Sequence, residues 1–566
     1  METIVGRAAC SPADEYSNRH LKRVNSSLFS IATVAEDCNE LDRNGLTKDD
    51  SFTAGKLDKL SINDKSGSFL LPHDNRTGLI FESSTDHYDI YNRLHKERPL
   101  RVESTRTYIL EESKHDLRKR CVLLPDVSSR DGSGSDYERV GDKVKMKRKL
   151  RLLDEDDYHL VHRPGYIQRL SALSESKNGD KNDGRMTERL DDEASQYASV
   201  YLRPDSFKSA KCAVEALCSL VKRVVVVHSS DEDVEGKIGN DRTIGDGCDR
   251  DCDQLDNGFA IVRPPGHHAG PSMAGGYCIL NTVALAALYA RYRLGVRRVM
   301  VVDWDVHHGD GTQNALLNDP SVLYFSVHRH DGGNFFPFTS SSSMRDDGTR
   351  RKRSGSSSVV GEGAGLGRNV NVAWSRKFMG DDEYRAVWSA VLHPIAGEFN
   401  PDLVLVSAGF DAALGDMGEC NVTPECFGDL TKELMGYAEG KIVCALEGGY
   451  VRSVLHKCVE RVICALLEGK RVDRKKKGSS KAKEGLCSSS DSKKRSPNSN
   501  SGSKKNSSEL QDILEQIEPS AASSIQDTIT FHRPYWKCFQ NGNEGIDNDE
   551  DEIAKMLPVI CTECKE

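Results

Sequence analysis

The sequence lacks the features that mark membrane and secreted proteins. It contains no uncharged apolar stretch long enough to span a bilayer, and no secretory signal opens it. Its 17 cysteines are scattered without the spacing of a disulfide framework, and many lie in apolar runs where buried thiols are expected. We therefore expect an intracellular, reducing compartment and no membrane partner.

Hydrophobic content is also low, and no strong positive charge is present. Hydrophobic residues are 37% of the 566 positions and the mean hydropathy is -0.55, so part of the chain is not expected to pack into a core. The net charge of -9 argues against wholesale nucleic-acid binding. We expect no direct sequence-specific contact with nucleic acid.

A concentrated run of metal-binding side chains is the main feature that is present. The apolar run from Val299 to Val302 is typical of a buried parallel strand. Three carboxylates and two imidazoles follow it, and in extended chain Asp303, Asp305 and His307 point to one side. This density at the carboxyl end of a strand suggests a metal site. The alternative, a strand ending in solvated charges, accounts for one such residue but not for the run.

Three further apolar runs end in reactive side chains. Phe259 to Val262 precedes a Pro-Pro-Gly turn with a histidine pair, Leu403 to Val406 precedes Asp411, and Ile442 to Leu446 precedes a glycine pair and a tyrosine. Four strands are thus predicted to deliver functional groups at their carboxyl ends.

These motifs resemble those of zinc-dependent histone deacetylases, with the class II branch as the nearest pattern. The segments that carry the resemblance are Arg263 to Gly270, Asp303 to Thr312, Ser407 to Asp411 and Glu447 to Tyr450. The resemblance implies one α/β domain of the arginase/deacetylase type, with a central, mostly parallel sheet flanked by helices. Because the sequence has a single motif set and no internal repeat, we do not expect a tandem-domain enzyme.

The domain organisation follows from composition and from the extent of the resemblance. We predict a disordered N-terminal region at 1–75, a histone deacetylase catalytic domain at 76–540 and an acidic tail at 541–566. Four insertions are expected in the catalytic domain, at about 127–150, 229–257, 340–358 and 469–508. The last contains two basic clusters, Arg474 to Lys477 and Lys493 to Arg495, which fit a nuclear-import signal or a solvated tail equally well.

By resemblance, the zinc ligands are Asp305, His307 and Asp411. The resemblance makes His268 the general base that takes a proton from water and returns it to the leaving lysine amine, and His267 an electrostatic stabiliser. Such a carboxylate-rich ligand set leaves less positive charge on the metal than three histidines would, so a base is needed.

Two further carboxylates are implied as partners of the histidines, Asp303 for His267 and Asp310 for His268. The resemblance also implies a buried potassium site. Its candidate residues are Asp303, Asp305, His307, Ser326 and Val327.

Tyr450 is the most informative single position. Active members of the family place a tyrosine hydroxyl against the substrate carbonyl oxygen, whereas the vertebrate class IIa branch has histidine there and deacetylates acetyl-lysine poorly. Tyrosine at this position predicts a competent deacetylase. A core tyrosine after a glycine turn is the alternative.

Substrate contacts are also implied. Gly276, Tyr277 and Phe336 match the tunnel walls, and Ser195 matches a contact to the substrate backbone. The rim loop, Gly415 to Cys420, is one residue shorter than is usual in the family. The resemblance therefore leaves open whether Met417 or Glu419 faces the entrance of the tunnel. Arg101 matches an arginine that lines an internal cavity, and an exposed surface arginine is the alternative.

We expect zinc-dependent hydrolysis of N6-acetyl-lysine in proteins, with histone tails as substrates and a role in chromatin and transcriptional repression. A corepressor complex is a further expected partner. We expect the protein in the nucleus and also in the cytoplasm. An acetylpolyamine deacetylase and a catalytically weak corepressor scaffold are the alternatives; the first requires Glu419 to project into the mouth. A single Cys-x-x-Cys motif, Cys561 to Cys564, is a weak signal for a second zinc site.

Overall fold

The computed structural model describes residues 74–128, 137–140, 143–146, 152–174, 184–226, 254–338, 354–469 and 510–540. The predicted disordered region up to residue 73, most of each predicted insertion and the acidic tail lie outside these ranges. So do both basic clusters and the Cys561/Cys564 pair. None of the helices within the described ranges combines the length and the apolar character needed to cross a bilayer.

An eight-stranded sheet forms the centre of the domain. Its strands lie in the order β2-β1-β5-β10-β9-β6-β7-β8, and every neighbouring pair is parallel. The predicted α/β class with a central parallel sheet is therefore confirmed. The strands are β1 (Thr77–Glu82), β2 (Val122–Leu123), β5 (Asn257–Val262), β6 (Val299–Asp303), β7 (Val322–Arg329), β8 (Asn369–Trp374), β9 (Leu403–Ala408) and β10 (Ile442–Leu446).

A small antiparallel pair, β3 (Tyr137–Val140) and β4 (Lys143–Met146), lies within the predicted insertion at 127–150. The basic run that begins at Lys143 therefore forms a strand in part.

Helices connect the strands of the large sheet and cover it. They are α1 (Leu100–Thr107), α2 (Leu117–Arg120), α3 (Glu155–Tyr158), α4 (Pro164–Ser174), α5 (Gly184–Ala194), α6 (Ser206–Val225), α7 (Thr282–Tyr292), α8 (Asp310–Leu316), α9 (Asp381–Val387), α10 (His393–Phe399), α11 (Pro424–Leu434), α12 (Arg452–Glu468) and α13 (Pro519–His532). Two π-helical turns, Tyr108–Glu112 and Trp388–Leu392, continue α1 and α9.

Both faces of the central strands are buried, which explains why their sequences are apolar without alternation. In β6, Met300 and Val302 pack into a core that includes α11 and α12, whereas Val299 and Val301 pack into a second core that includes α6 and α7. Each such side chain contributes about 1.5–3 kcal/mol when fully buried. The strands that carry the candidate site are thus held from two sides.

The register of the sheet aligns the strand ends. Asp303, the last residue of β6, lies opposite Ser407 of β9 and Ser326 of β7, and Leu446 of β10 lies opposite Ala408 of β9. The residues that follow β5, β6, β9 and β10 consequently lie together at the carboxyl ends of the four central strands.

Helix α13 covers the edge strand β8. The Ser524 hydroxyl donates to the carbonyl of Ala373 at 2.8 Å, and the Thr528 hydroxyl donates to the carbonyl of Asn371 at 3.0 Å. The helix thereby satisfies acceptors that an exposed edge would offer to another strand.

Candidate active site

Three side chains that follow β6 and β9 form a buried cluster of metal-ligating groups. Asp305 and Asp411 are fully buried, and the ligating atoms of Asp305, His307 and Asp411 all lie within 4.8 Å of one another. Nδ1 of His307 is 3.1 Å from Oδ1 of Asp305 and 3.0 Å from Oδ2 of Asp411. One imidazole nitrogen thus faces two carboxylate oxygens, an arrangement that a cation between them would balance.

The backbone fixes the other oxygen of each carboxylate. The amide of Gly448 donates to Oδ2 of Asp305 at 2.8 Å, and the amide of Val306 donates to Oδ1 of Asp411 at 3.0 Å. A Cβ atom at Gly448 would overlap both carboxylates, so only glycine allows this approach. Burial and the negative charge of Asp305 raise the pKa of Asp411 to about 6, which reflects crowded negative charge. The donor set, two carboxylates and one imidazole, fits zinc.

The histidine pair lies in the turn after β5, with its two rings 4.0 Å apart. His268 Nδ1 is 2.9 Å from Oδ1 of Asp310, and His267 Nδ1 is 3.2 Å from Oδ2 of Asp303. The structure therefore brings each histidine to the carboxylate expected for it. The ring of His268 also lies 6.0 Å from that of His307, which places the pair beside the metal-ligating cluster.

The two histidines differ in their electrostatic surroundings. Burial lowers the pKa of His267, but the charges of Asp305 and Asp303 outweigh burial and raise it well above its usual value. Burial and the neighbouring charge of His267 hold the pKa of His268 at about 4, although Asp310 opposes this shift. The opposite directions of these shifts make His267 the more readily protonated of the two imidazoles.

Tyr450 lies between charged groups that hold its backbone. Arg101 is 1% exposed, and its guanidinium donates to the carbonyls of Glu447 at 2.7 Å and Gly449 at 2.8 Å. The same guanidinium stacks on the Tyr450 ring, 4.8 Å from its centroid. Arg101 is therefore a buried residue that holds the segment from Glu447 to Val451, which we call the tyrosine loop. The alternative of an exposed surface arginine is wrong.

Glu447 is a functional candidate that sequence reasoning passed over. Its side chain is 1% exposed, and Oε2 accepts from the amides of Gly266 at 2.7 Å and His267 at 3.1 Å. Burial raises the pKa of Glu447 to about 7. The carboxylate thus links the histidine turn to the strand that ends at Tyr450. Its signal was a carboxylate directly after a buried strand, which is unfavourable unless it is paired.

The aromatic residues of the predicted tunnel surround this cluster. The ring of Phe336 meets that of His268 edge-on at 5.0 Å, and the ring of Tyr277 meets that of Tyr450 edge-on at 5.9 Å. Gly276 has φ +50°, and a Cβ there would overlap the His268 ring. Glycine at this position lets the tunnel wall pass close to the histidine.

The rim residues lie at different places. The hydroxyl of Ser195 is exposed and donates to the carbonyl of Asp192 at 2.7 Å. Met417 is half-buried, with its sulfur 3.9 Å from Nζ of Lys96. The carboxylate of Glu419 is bound by Lys377 at 2.8 Å and Arg329 at 3.1 Å. Glu419 is thus neutralised by two cations.

The predicted potassium site shares Asp305 and His307 with the metal-ligating cluster, and its other residues are buried. Ser326 and Val327 are 0% exposed, and the Ser326 hydroxyl lies 2.7 Å from Nδ1 of His328. Oδ2 of Asp303 also accepts from the hydroxyl of Tyr324 at 3.0 Å, a partner that sequence reasoning did not identify.

Comparisons with known proteins agree with this architecture. The family described as "Histone deacetylase domain" matches residues 132–466. Histone deacetylase 6 of Caenorhabditis elegans is 34% identical over 421 residues, which cover 74% of this chain and 36% of that protein. Histone deacetylase 5 of Arabidopsis thaliana is 41% identical over 323 residues, which cover 56% and 42%. Histone deacetylase 7 of Homo sapiens is 43% identical over 293 residues, which cover 51% and 26%.

The chain therefore spans less than half the length of these curated relatives. Among solved structures, the crystal structure of the HDA15 HD domain matches with a TM-score of 0.56 at 24% identity. That match covers 86% of this chain and 99% of the solved one, and it supports the fold.

Proposed function

The chain belongs to the histone deacetylase family, with class II-like relatives, and on that premise we propose that it hydrolyses N6-acetyl-lysine in proteins. The observation that carries the proposal is the convergence of Asp305, His307 and Asp411 beside the imidazole of His268. Amide hydrolysis needs a base near an activated water, and these residues are arranged to supply both.

A zinc ion held by Asp305, His307 and Asp411 would supply Lewis acidity for the water and the amide carbonyl. His268 takes the proton from the attacking water through Nε2, because its Nδ1–H is occupied by Asp310. The same imidazole returns the proton to the leaving lysine amine. His267, paired with Asp303, stabilises the negative charge that develops in the transition state.

Tyr450 donates its hydroxyl proton in a hydrogen bond to the carbonyl oxygen as this oxygen gains negative charge. Burial raises the pKa of Tyr450 well above its usual value, so the hydroxyl stays protonated. Such a donor is worth on the order of a hundredfold in kcat. Tyr277 and Phe336 line the slot for the apolar lysine stem, and Gly276 keeps that slot close to His268.

The test is turnover of an acetyl-lysine peptide library by zinc-loaded protein, alongside Tyr450→Phe and an acetylated polyamine. We expect peptide turnover that falls about a hundredfold in Tyr450→Phe. No turnover of either substrate by protein that holds zinc would refute the proposal and favour a corepressor scaffold. Turnover of the polyamine alone would overturn the substrate class. The ion pairs of Glu419 with Lys377 and Arg329 argue against that outcome.

Within this function we propose histone tails as substrates, action in chromatin and transcriptional repression, a corepressor partner and a nuclear location. The support is family membership together with the basic clusters Arg474 to Lys477 and Lys493 to Arg495. Replacing the basic residues of both clusters with glutamine in the full chain should move it to the cytoplasm. A variant that stays nuclear would argue against this signal.

We also propose potassium as a second ion, held by Asp303, Asp305, His307, Ser326 and Val327. Its support is the buried register of Asp303 with Ser326. The zinc-loaded protein should have a higher thermal midpoint in potassium than in choline at equal ionic strength, and equal midpoints would contradict the proposal.

A further inference from the structure

Asp416 lies where the rim loop meets the tyrosine loop, and its side chain is only 7% exposed. Oδ2 accepts hydrogen bonds from the backbone amides of Tyr450 and Val451, both at 2.8 Å. Oδ1 accepts from the amide of Met417 at 2.7 Å. One carboxylate therefore holds the backbone of Tyr450 and that of the rim at the same time.

The peptide group between Gly449 and Tyr450 is held from both ends by opposite charges. Its carbonyl accepts from Nε of Arg101 at 2.8 Å, and its amide donates to Oδ2 of Asp416 at 2.8 Å. Charge-assisted hydrogen bonds of this kind are stronger than neutral ones. The plane of this peptide sets the direction in which the Tyr450 side chain leaves the backbone.

The glycines before Tyr450 explain why such a clamp is needed. Gly449 has φ +107°, a conformation that L-residues rarely adopt, and two consecutive glycines impose little conformational preference of their own. The position of Tyr450 therefore depends on contacts from outside the loop. A displacement of about 1 Å at a reacting group can cost on the order of a hundredfold in rate.

We propose that Asp416 is a positioning residue for the Tyr450 hydroxyl and acts through the Tyr450 backbone; this inference rests on the proposed function. A structural reading of the same contacts is that Asp416 caps the start of α12, which begins at Arg452. Capping alone predicts a loss of stability without a specific loss of kcat. Positioning predicts a kcat effect that requires the tyrosine hydroxyl.

The chain offers a matched control for capping. Oδ1 of Asp381 accepts from the amide of Thr423 at 2.7 Å, and Oδ2 accepts from its hydroxyl at 2.7 Å, at the start of α11. Asp381 thus supports a helix start through the same chemistry. Among the described residues, Asp381 forms these hydrogen bonds with Thr423 and an ion pair with Arg385, and both partners lie outside the segment from Glu447 to Val451.

The kinetic test uses Asp416→Asn, Asp381→Asn, Tyr450→Phe and the double variant of Asp416 and Tyr450. We expect Asp416→Asn to lower kcat at least tenfold while KM changes less than twofold, and to have less than a twofold effect in the Tyr450→Phe background. Asp381→Asn should lower the thermal midpoint and leave kcat within twofold. An equal fall in kcat with and without the hydroxyl would overturn the inference.

A second readout does not depend on turnover. Amide hydrogen exchange of the peptide that contains Tyr450 and Val451 should be at least tenfold faster in Asp416→Asn than in wild type, and unchanged in Asp381→Asn. If the exchange changes but wild type hydrolyses no acetyl-lysine, the proposed function fails and the anchoring of Tyr450 stands. Unchanged exchange overturns the anchoring. Should Asp416→Asn not fold, Asp416→Glu is measured in the same way.

Discussion

Removing the Glu447 carboxylate should destabilise the domain strongly, whereas neutralising it should not. In Glu447→Ala, the amides of Gly266 and His267 lose the acceptor that they share, at 2.7 and 3.1 Å. A buried donor left without a partner costs about 1–3 kcal/mol, so the pair should cost about 2–6 kcal/mol. That is a large part of a typical stability of about 5–15 kcal/mol.

Glu447→Gln is the matched variant for this prediction. The amide oxygen of glutamine can take the place of Oε2 and accept from both backbone amides. Its NH₂ group would then face the Ser407 hydroxyl, which lies 3.4 Å from Oε1. We expect a loss of about 1 kcal/mol, because only the charge assistance disappears.

The assay is urea unfolding of the zinc-loaded variants, followed by fluorescence and by circular dichroism. The midpoint should fall far more in Glu447→Ala than in Glu447→Gln, with the slope unchanged. Equal stability of Glu447→Ala and wild type would refute the account of Glu447 as the acceptor of the histidine turn. A Glu447→Gln variant as unstable as Glu447→Ala would show that charge, not acceptor geometry, is decisive.

Three further predictions concern His162, Gly276 and the metal. His162 is held neutral between the carbonyl of Gly270 (3.0 Å) and the amide of Asn281 (2.9 Å), and burial lowers its pKa to about 4. Because the unfolded imidazole binds its proton near pH 6.5, the unfolded state holds more protons between pH 6.5 and about 4, so stability should fall as pH is lowered through this window. His162→Leu should make that slope shallower in unfolding titrations, and an unchanged slope would argue against the assignment. Gly276→Ala should lower kcat about a hundredfold, because the new methyl group displaces the His268 ring. Its circular dichroism spectrum should match that of wild type. Normal turnover would contradict this geometry. Chelation should abolish turnover and lower the thermal midpoint by several degrees, since two buried carboxylates lose their counter-charge when the metal is removed. Added zinc should restore both. A midpoint that does not respond to zinc would exclude the site at Asp305, His307 and Asp411.

The sequence was sufficient to locate the candidate metal ligands that follow their own strand ends. Asp305, His307 and Asp411 follow buried runs whose parallel arrangement makes their ends coincide, so local pattern and topology together locate them. The α/β fold followed from the same runs and from the family resemblance.

Contacts between distant loops could not be derived in this way. Arg101 reaches the carbonyl of Gly449 across 348 positions, and Asp416 reaches the amide of Tyr450 across 34. These contacts depend on loop length and on three-dimensional packing, which periodicity does not record. The sequence left the choice between Met417 and Glu419 at the mouth open for the same reason, because the cations that bind Glu419 lie on other segments.

The cover of the β8 edge has a consequence for how the chain is made. Ala373 and Ser524, which join strand and helix, are 151 positions apart, and β8 leaves the ribosome long before α13 exists. During that interval the carbonyls of Asn371 and Ala373 are open to any strand that the nascent chain or its neighbours present. The edge strand β8 can be covered only after α13 has been synthesised. A chain interrupted before Pro519 would therefore keep an uncovered β8 edge, and such an edge favours aggregation with other strands.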